Sequence, residues 1–304
     1  MFNDFFVKKT MDLISLMQQF SSNTYCIQQL EKIRWAEGPV CHYCKSTRSS
    51  AMPSENRHKC LACNRSYSVL QGTIFEGTKI TLSKWFMAIY LIADAKKGIS
   101  SLQLSRHINV NKDTAWSMQR RIRKAMEEDY YLQGIVELDE TYVGGSRSNK
   151  KKGEIEKKQI PKAGMTHKTP VLGMYEREGK ILLKVLNKAW GEEIKPYVKQ
   201  CIHPNSKIIS DGFGGYFGLR THFRDHIVLN HEKKQYAKRG YSMSTIEGFW
   251  AMLKRAVIGV YHKISFRYLQ EYLNEISFKF NYRSTSNRFE ILLSRMLEPF
   301  PNIR

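Results

Sequence analysis

The stretch IVELDETYVGG, residues 135–145, begins a series of short apolar segments that predicts the fold. Four further segments follow it before residue 232, and each has the length of a β-strand: PVLGMYERE, KILLKVLN, KIISDGFGGY and HIVLNH. Helical periodicity returns at residues 244–260 and again at 265–282. Because the strands precede these closing helices, the order predicts a layered α/β domain in which helices cover a sheet.

Three acids in this region occupy positions from which their side chains can converge. Asp139 lies on the first strand, Asp211 ends a later strand and precedes glycines, and Glu247 begins a helix, with thirty-five residues between it and Asp211. Three carboxylates would bind two Mg²⁺ (or Mn²⁺) ions through oxygen and leave positions for water and phosphate. Lys254 is two helical turns beyond Glu247, on the same face, where it can contact a phosphate backbone.

Any three acids taken alone are weak evidence, because the chain contains 28 of them. Glu137 and Glu140 stand beside Asp139, and Glu137 points to the same face of the strand as Asp139 does. Glu137 is therefore a rival for the same role. The prediction depends on the order and spacing of the three acids rather than on any one of them.

Four of the six cysteines form two Cys-x-x-Cys pairs, Cys41 with Cys44 and Cys60 with Cys63. This spacing lets each pair present two thiolates to one tetrahedral Zn²⁺, with a hairpin between the pairs. A module this small cannot fold on its apolar core alone, so the zinc is expected to be structural. A disulfide or redox pair is the alternative, but six unevenly placed cysteines do not form a secreted disulfide framework.

Residues 99–126 have the pattern of a helix-turn-helix, with Asn109-Val110-Asn111 as the turn and Asn111 or Asp113 as the cap of the second helix. The outer side of that helix offers residues suited to phosphates and base edges: Lys112, Thr114, Gln119, Arg120, Arg123 and Lys124. Two ordinary packed helices with a basic face are the alternative. The cysteine module and the net charge favour DNA binding.

The composition limits the class of partner. Lys and Arg total 49 against 28 acids, a formal charge of +21, and this excess requires an anionic partner. No apolar run approaches the roughly 20 residues that span a bilayer, and charges interrupt the N-terminal segment, which is therefore no signal peptide. Nucleic acid rather than membrane is the expected partner of a soluble intracellular protein.

Together these features resemble the bacterial insertion-sequence transposases related to the eukaryotic Merlin elements, which have an N-terminal zinc ribbon and a DDE catalytic domain. The resemblance covers about residues 35–283. Its most specific parts are the two cysteine pairs, QGTIF at 71–75, KGIS at 97–100, ELDETYVGG at 137–145, SDG at 210–212, TIEGFW at 245–250 and LKR at 253–255.

The resemblance implies cut-and-paste transposition, in which double-stranded DNA is cleaved at terminal inverted repeats and the 3′ ends are joined to target DNA. The first family aspartate falls on Asp139, the second on Asp211, the third acid on Glu247 and the lysine on Lys254, with Arg255 as a further DNA contact. Some relatives have asparagine as the third ligand. Glu247 is assigned here because no other acid lies between residues 232 and 271.

The expected architecture is multidomain, with a ribonuclease-H-like α/β catalytic domain after the DNA-binding part. The predicted segments are N-terminal helices at 1–40, a zinc ribbon at 41–75, a helix-turn-helix region at 76–130, the catalytic domain at 131–290 and a C-terminal tail at 291–304. The lysine-rich stretch Lys150–Lys168 is expected to be a mobile loop. His231 and His262 also match family positions, and for both a packed histidine is the alternative.

Two ends of one element require two active sites, so a homodimer or a larger assembly is expected. The location would be cytoplasmic, at the nucleoid, in a bacterium, or nuclear in a eukaryote. A non-catalytic DNA-binding regulator derived from a transposase is the alternative function, and an RNA-cleaving hydrolase of the same fold is a third. Intact acids argue against the regulator, and the N-terminal DNA-reading modules argue against the RNA hydrolase.

Overall fold

The computed structural model describes residues 11–144, 168–229, 237–238 and 240–300. They divide into two compact units, one formed by the described residues up to Met126 together with those from Ser284 onward, the other by Glu127–Arg283. His231 and the predicted loop, apart from Lys168, lie outside the described residues. In the part of the chain that is described, no helix is long and apolar enough to cross a membrane.

The first unit begins with two helices and the cysteine region. Helices α1 (Leu13–Gln19) and α2 (Asn23–Arg34) precede a three-stranded antiparallel sheet of β1 (Ser49–Met52), β2 (Arg57–Cys60) and β3 (Ser66–Tyr67). Helices α3 (Leu82–Asp94), α4 (Ser101–Ile108) and α5 (Lys112–Ala125) follow. The buried residues of α3 recur at steps of three and four, as its periodicity predicts.

The second unit contains a five-stranded mixed sheet in the order β6-β5-β4-β7-β8. Its strands are β4 (Ile135–Val143), β5 (Thr169–Glu176), β6 (Ile181–Val185), β7 (Lys207–Asp211) and β8 (Asp225–Leu229). Strand β5 runs antiparallel to β4 and β6, whereas β7 runs parallel to β4 and β8. The hairpin β9 (Ala237–Lys238) and β10 (Tyr241–Ser242) and the helices α6 (Gly191–Cys201), α7 (Ser244–Ala256) and α8 (Phe266–Asn281) complete the unit.

Alternation along the strands gives the sheet two buried faces. Leu138 of β4 lies in one core with Ile194 of α6. Ile209 of β7 lies in the other core, with Phe249 of α7 and Leu273 of α8. Because successive side chains of a strand point to opposite faces, the sheet is enclosed between helical layers. The predicted sheet covered by helices is present.

The last described helix, α9 (Arg288–Arg295), belongs to the first unit and not to the second. The ring of Phe289 lies 6.2 Å from that of Phe20 and 6.1 Å from that of Phe86, measured between centroids. Leu292 of the same helix is fully buried. The domain boundary predicted at residue 291 therefore falls inside a packed helix.

Candidate active site and cysteine cluster

Strands β4 and β7 bring two of the predicted acids side by side. The strands pair in parallel with Leu138 opposite Ser210, and Asp139 and Asp211 are the next residues on each. The side chain of Asp211 points to the same face of the sheet as that of Ile209, two residues earlier, which lies in the core under α7. Since neighbouring strands are about 4.8 Å apart, the two carboxylates leave the sheet next to each other.

Both carboxylate oxygens of Asp139 accept hydrogen bonds. Oδ1 accepts from the backbone N–H of Glu140 and Oδ2 from the indole Nε1–H of Trp250, each at 2.9 Å. The pKa of Asp139 is raised to about 6, mainly by burial and also by the negative charges of Asp211 and Glu247, and the Trp250 hydrogen bond opposes the rise. Carboxylates that repel one another in this way attract a cation.

The position of Trp250 depends on Gly173, the residue opposite Asp139 on β5. A Cβ atom at residue 173 would lie 2.5 Å from the indole ring of Trp250 and 3.1 Å from Cδ1 of Ile246. Glycine therefore leaves the space through which the ring crosses the strand and reaches Asp139. This contact fastens α7, the helix on which Glu247 lies, to β4.

Glu137, the rival acid, has a different role. Its carboxylate accepts from Nε–H of Arg177 at 3.1 Å and from the backbone N–H of Ile246 at 3.2 Å. The N-cap residue of α7, Met243, makes no capping hydrogen bond, so Glu137 satisfies a donor of the first turn in its place. The side chain is only 1% exposed, and burial raises its pKa. Glu137 positions the helix that presents Glu247.

Glu140 belongs to the opposite face of the sheet. Its Oε2 accepts from the hydroxyl of Tyr216 at 2.7 Å, and burial raises its pKa to about 7, with the charges of Asp211 and Asp139 contributing. Asp211 Oδ1 accepts from the backbone N–H of Phe213 at 3.0 Å. The segment 213–216, which follows β7, is thus hydrogen-bonded to Asp211 at its first residue and to Glu140 at its last.

Glu247 and Lys254 lie on the exposed face of α7, as does Arg255. Glu247 is one helical turn before Trp250, which contacts Asp139, so the structure brings the third acid toward the other two. The three carboxylates are not gathered tightly: among the described residues, only the cysteine cluster brings three or more ligand atoms of His, Cys, Asp or Glu within 4.8 Å of one another.

His262 follows a π-helical turn, Val257–Tyr261, that extends α7. Its φ of 58° lies in a region that residues other than glycine rarely adopt, and its side chain is exposed. The packed-histidine alternative is therefore wrong for His262.

The four cysteines of the first unit form a compact cluster. Sγ of Cys41 lies 3.7 Å from that of Cys63, and Sγ of Cys44 lies 3.5 Å from that of Cys60. These separations exclude a disulfide of about 2.05 Å and approach the edge of about 3.8 Å of a tetrahedron with Zn–S distances of about 2.3 Å. The backbone N–H of Cys63 lowers the pKa of the Cys60 thiol to about 6. The cluster has the donor set and spacing to bind Zn²⁺.

Residues 131–281 match the ISXO2-like transposase domain. The match begins four residues before β4 and ends at the last residue of α8. This part of the chain is therefore similar to a transposase domain, and it includes all three predicted acids together with Trp250 and Gly173.

A curated protein is also similar to part of the chain. It is an uncharacterized protein in the transposable element ISH50 of Halobacterium salinarum, 30% identical over 131 residues. The aligned part is 42% of this chain and 44% of that protein, so the chain spans less than half the length of the curated relative it matches.

Solved structures of the Mos1 transposase also show a likeness to the chain. The paired-end complex with the left transposon end has a TM-score of 0.31 at 12% identity, over 71% of this chain and 80% of Mos1. The mariner Mos1 paired-end complex with Mg has a TM-score of 0.27 at 12% identity, over 70% and 79%. TM-scores of this size do not transfer residue positions from Mos1.

Outside residues 131–281, α4 and α5 form the predicted pair of helices. Ser100 caps α4, and Asn109 ends it in the left-handed conformation with φ of 49°. Asn111 accepts from the backbone N–H of Thr114 at 2.7 Å and is the cap of α5, whereas Asp113 lies within the helix.

Two of the six DNA contacts predicted on α5 are buried. Gln119 is 1% exposed: its Oε1 accepts from the hydroxyl of Ser101 at 2.7 Å, and its Nε2 donates to the carbonyl of Ile99 at 2.8 Å. Arg123 is also 1% exposed. The prediction of DNA contact fails for these two residues because they face the interior of the unit. The other four are exposed or half-buried: Lys112, Thr114, Arg120 and Lys124.

Proposed function

We propose that the chain is a DDE transposase, a nuclease and strand transferase that cuts at terminal inverted repeats and joins the 3′ ends to target DNA. The observation that supports this best is the parallel pairing of β4 with β7, which sets Asp139 beside Asp211. Glu247 lies on the helix that Trp250 fastens to Asp139. The strand order, with β5 as the one antiparallel strand of the sheet, supports a ribonuclease-H-like fold.

The donor atoms of the three acids fit Mg²⁺ or Mn²⁺. Both ions prefer carboxylate oxygen, and a divalent charge would offset the burial and the repulsion that together raise the pKa of Asp139. Because Asp139, Asp211 and Glu247 are not gathered within 4.8 Å, the set suits two ions better than one. When bound, paired ions activate the attacking oxygen and stabilise the leaving oxygen of an in-line displacement at phosphorus.

The remaining tasks belong to side chains of the domain itself. Trp250 fixes the orientation of Asp139, and Glu137 fixes the start of α7 and so the direction of Glu247. Lys254 and Arg255, exposed on α7, bind the phosphates next to the one that is cut. Water attacks first and leaves a 3′ hydroxyl, which then attacks a target phosphate. Each step exchanges one P–O bond for another, so no nucleotide hydrolysis is required.

DNA recognition is assigned to the first unit. The cysteine cluster serves as a zinc ribbon, and α4 and α5 serve as a helix-turn-helix that reads the terminal repeats with Lys112, Thr114, Arg120 and Lys124. Binding two ends requires at least a homodimer on the DNA. The relation to the Merlin transposases, a bacterial source and a location at the nucleoid belong to the same proposal.

The test is cleavage of a DNA fragment with the inverted repeats that flank the gene, by the purified full chain in Mg²⁺. Asp139→Asn and Asp211→Asn should abolish cleavage and leave DNA binding in EDTA unchanged. Asp225→Asn is the matched control, because Asp225 lies at the start of β8, 4.0 Å from Nζ of Lys207, at the opposite end of the strands from Asp211.

Cleavage by the Asp139→Asn protein at the wild-type rate would show that the catalytic assignment is wrong. A wild-type protein that binds the repeats but never cuts them would instead support the DNA-binding regulator.

A further inference from the structure

Several large aromatic side chains are exposed on the second unit, and two of them flank one lysine. Trp190, 52% exposed, immediately precedes α6, and Phe217, 69% exposed, follows the segment after β7. A single exposed apolar residue is ordinary on a protein surface. These two have surroundings that distinguish them.

Trp190 stands at the N-cap of α6, a position at which Ser, Thr, Asp or Asn would stabilise the helix. The indole makes no capping hydrogen bond there. The loop is nevertheless held in place, because the carboxylate of Glu193 accepts from the backbone N–H groups of Asn187 and Lys188, each at 2.9 Å. Nζ of Lys188 lies 4.2 Å from the centre of the Trp190 ring. Trp190 departs from the residue preference of an N-cap although its loop is ordered, and such departures are expected at functional positions.

Phe217 is attached to the candidate active site through its neighbours. Phe213 donates its backbone N–H to Asp211, and the hydroxyl of Tyr216 donates to Glu140 at 2.7 Å. Phe217 follows Tyr216 directly in the chain. Phe217 therefore follows a segment that is hydrogen-bonded to both Asp211 and Glu140.

Lys195 stands between the two aromatic residues. Its Nζ lies 3.3 Å from the place of a Cβ atom at Gly191, the neighbour of Trp190. The same atom lies 4.0 Å from the place of a Cβ atom at Gly218, the neighbour of Phe217. The ammonium group of Lys195 therefore lies beside the backbone next to both aromatic residues.

We propose that Lys188, Trp190, Lys195 and Phe217 form a platform that binds unpaired bases of DNA next to the cleaved phosphate. Exposed aromatic rings stack on any base, and adjacent lysines bind the phosphates, which is how proteins hold single strands. The first turn of α6 also contains two acids: Glu192 is exposed, and the carboxylate of Glu193 accepts from the backbone N–H groups of Asn187 and Lys188. The inference rests on the proposed function, because this surface meets a strand end only if the acids cut DNA beside it.

The test is equilibrium binding of the full chain, in EDTA, to a fluorescent single strand of about 12 nucleotides and to the matching duplex. Trp190→Ala and Phe217→Ala should each weaken single-strand binding about fivefold or more, the equivalent of about 1 kcal/mol of stacking per base. Duplex binding should change much less. Trp190→Phe should keep most of the affinity and Trp190→Leu should not, because stacking requires a ring.

Phe266→Ala is the matched control, since Phe266 is 56% exposed at the start of α8 in the same unit. It should bind the single strand as the wild type does. Wild-type affinity in both Trp190→Ala and Phe217→Ala, or an equal loss for single strand and duplex, overturns the platform. The binding is measured without metal, so such a result leaves Mg²⁺-dependent cleavage by the wild type, the test of the proposed function, untouched.

Discussion

Replacing Trp250 with phenylalanine removes one hydrogen-bond donor and keeps an aromatic ring over Gly173. The lost bond joins Nε1 to Oδ2 of Asp139 at 2.9 Å. A hydrogen bond to a charged group contributes about 1.5–3 kcal/mol, and Asp139 is too shielded from solvent for screening to remove much of this. About 1.36 kcal/mol corresponds to a factor of ten in an equilibrium constant. The variant should therefore favour the ionised form of Asp139 over the protonated form about 10- to 150-fold less than the wild type does.

The direction of the pH effect follows from the same bond. Burial raises the pKa of Asp139 to about 6, and the Trp250 hydrogen bond lowers it, so loss of the donor raises the pKa further. A carboxylate must be ionised to bind a metal ion. The variant should therefore need more Mn²⁺ at neutral pH, and the acidic limb of its cleavage profile should move to higher pH.

The assay is the Mn²⁺ concentration for half-maximal cleavage at neutral pH, together with the cleavage rate across the pH range, for wild type and Trp250→Phe. Phe266→Ala is the control, because it changes an exposed aromatic residue of the same unit that belongs neither to the acids nor to the proposed platform. A folded Trp250→Phe protein with the wild-type Mn²⁺ requirement, within about twofold, and an unshifted profile would refute the reasoning.

Gly173→Ala should displace the same indole, since its Cβ would lie 2.5 Å from the ring; we expect strongly reduced cleavage and a loss of about 1–3 kcal/mol in the free energy of unfolding, measured by urea titration. One Zn²⁺ per chain is expected by elemental analysis, and Cys44→Ser should lower the metal content; metal-free protein purified without chelator would contradict this. Arg120→Ala should weaken DNA binding and make it less dependent on salt, which a titration at several salt concentrations would show. Gln119→Ala should instead destabilise the first unit by about 1–3 kcal/mol in thermal or urea unfolding and leave the salt dependence unchanged.

The helices and strands could be predicted from the sequence because each is indicated by a pattern of residues that are close together in the chain. The strand pattern around Asp139, the periodicity of α3 and the spacing of the cysteines each depend on residues close together in the chain. The partners inside the site depend on strand pairing and helix packing, which local patterns do not contain. Trp250 is the last residue of the TIEGFW motif, but the sequence does not indicate that it contacts Asp139. Nor does the sequence indicate that Tyr216 is the partner of Glu140.

Helix α5 shows a different kind of error. Its buried residues, Ala115, Met118, Gln119, Ile122 and Arg123, fall at steps of three, four, seven and eight from the first. This is the period of a single buried helix face, so the spacing alone predicts that Gln119 and Arg123 are buried. Their polar and charged side chains favoured the opposite interpretation. Position on the helix outweighed residue type.

The packing of α9 determines the order in which the chain can fold during its synthesis. Phe289 completes the aromatic group of Phe20 and Phe86, and the backbone N–H of Phe300 donates to the carbonyl of Gly72 at 2.8 Å. Because translation runs from the N-terminus, the ribosome makes the whole of Glu127–Arg283 before these partners emerge. The first unit is therefore the first to enter synthesis and the last to be completed. A chain truncated before α9 lacks the helix that completes its core.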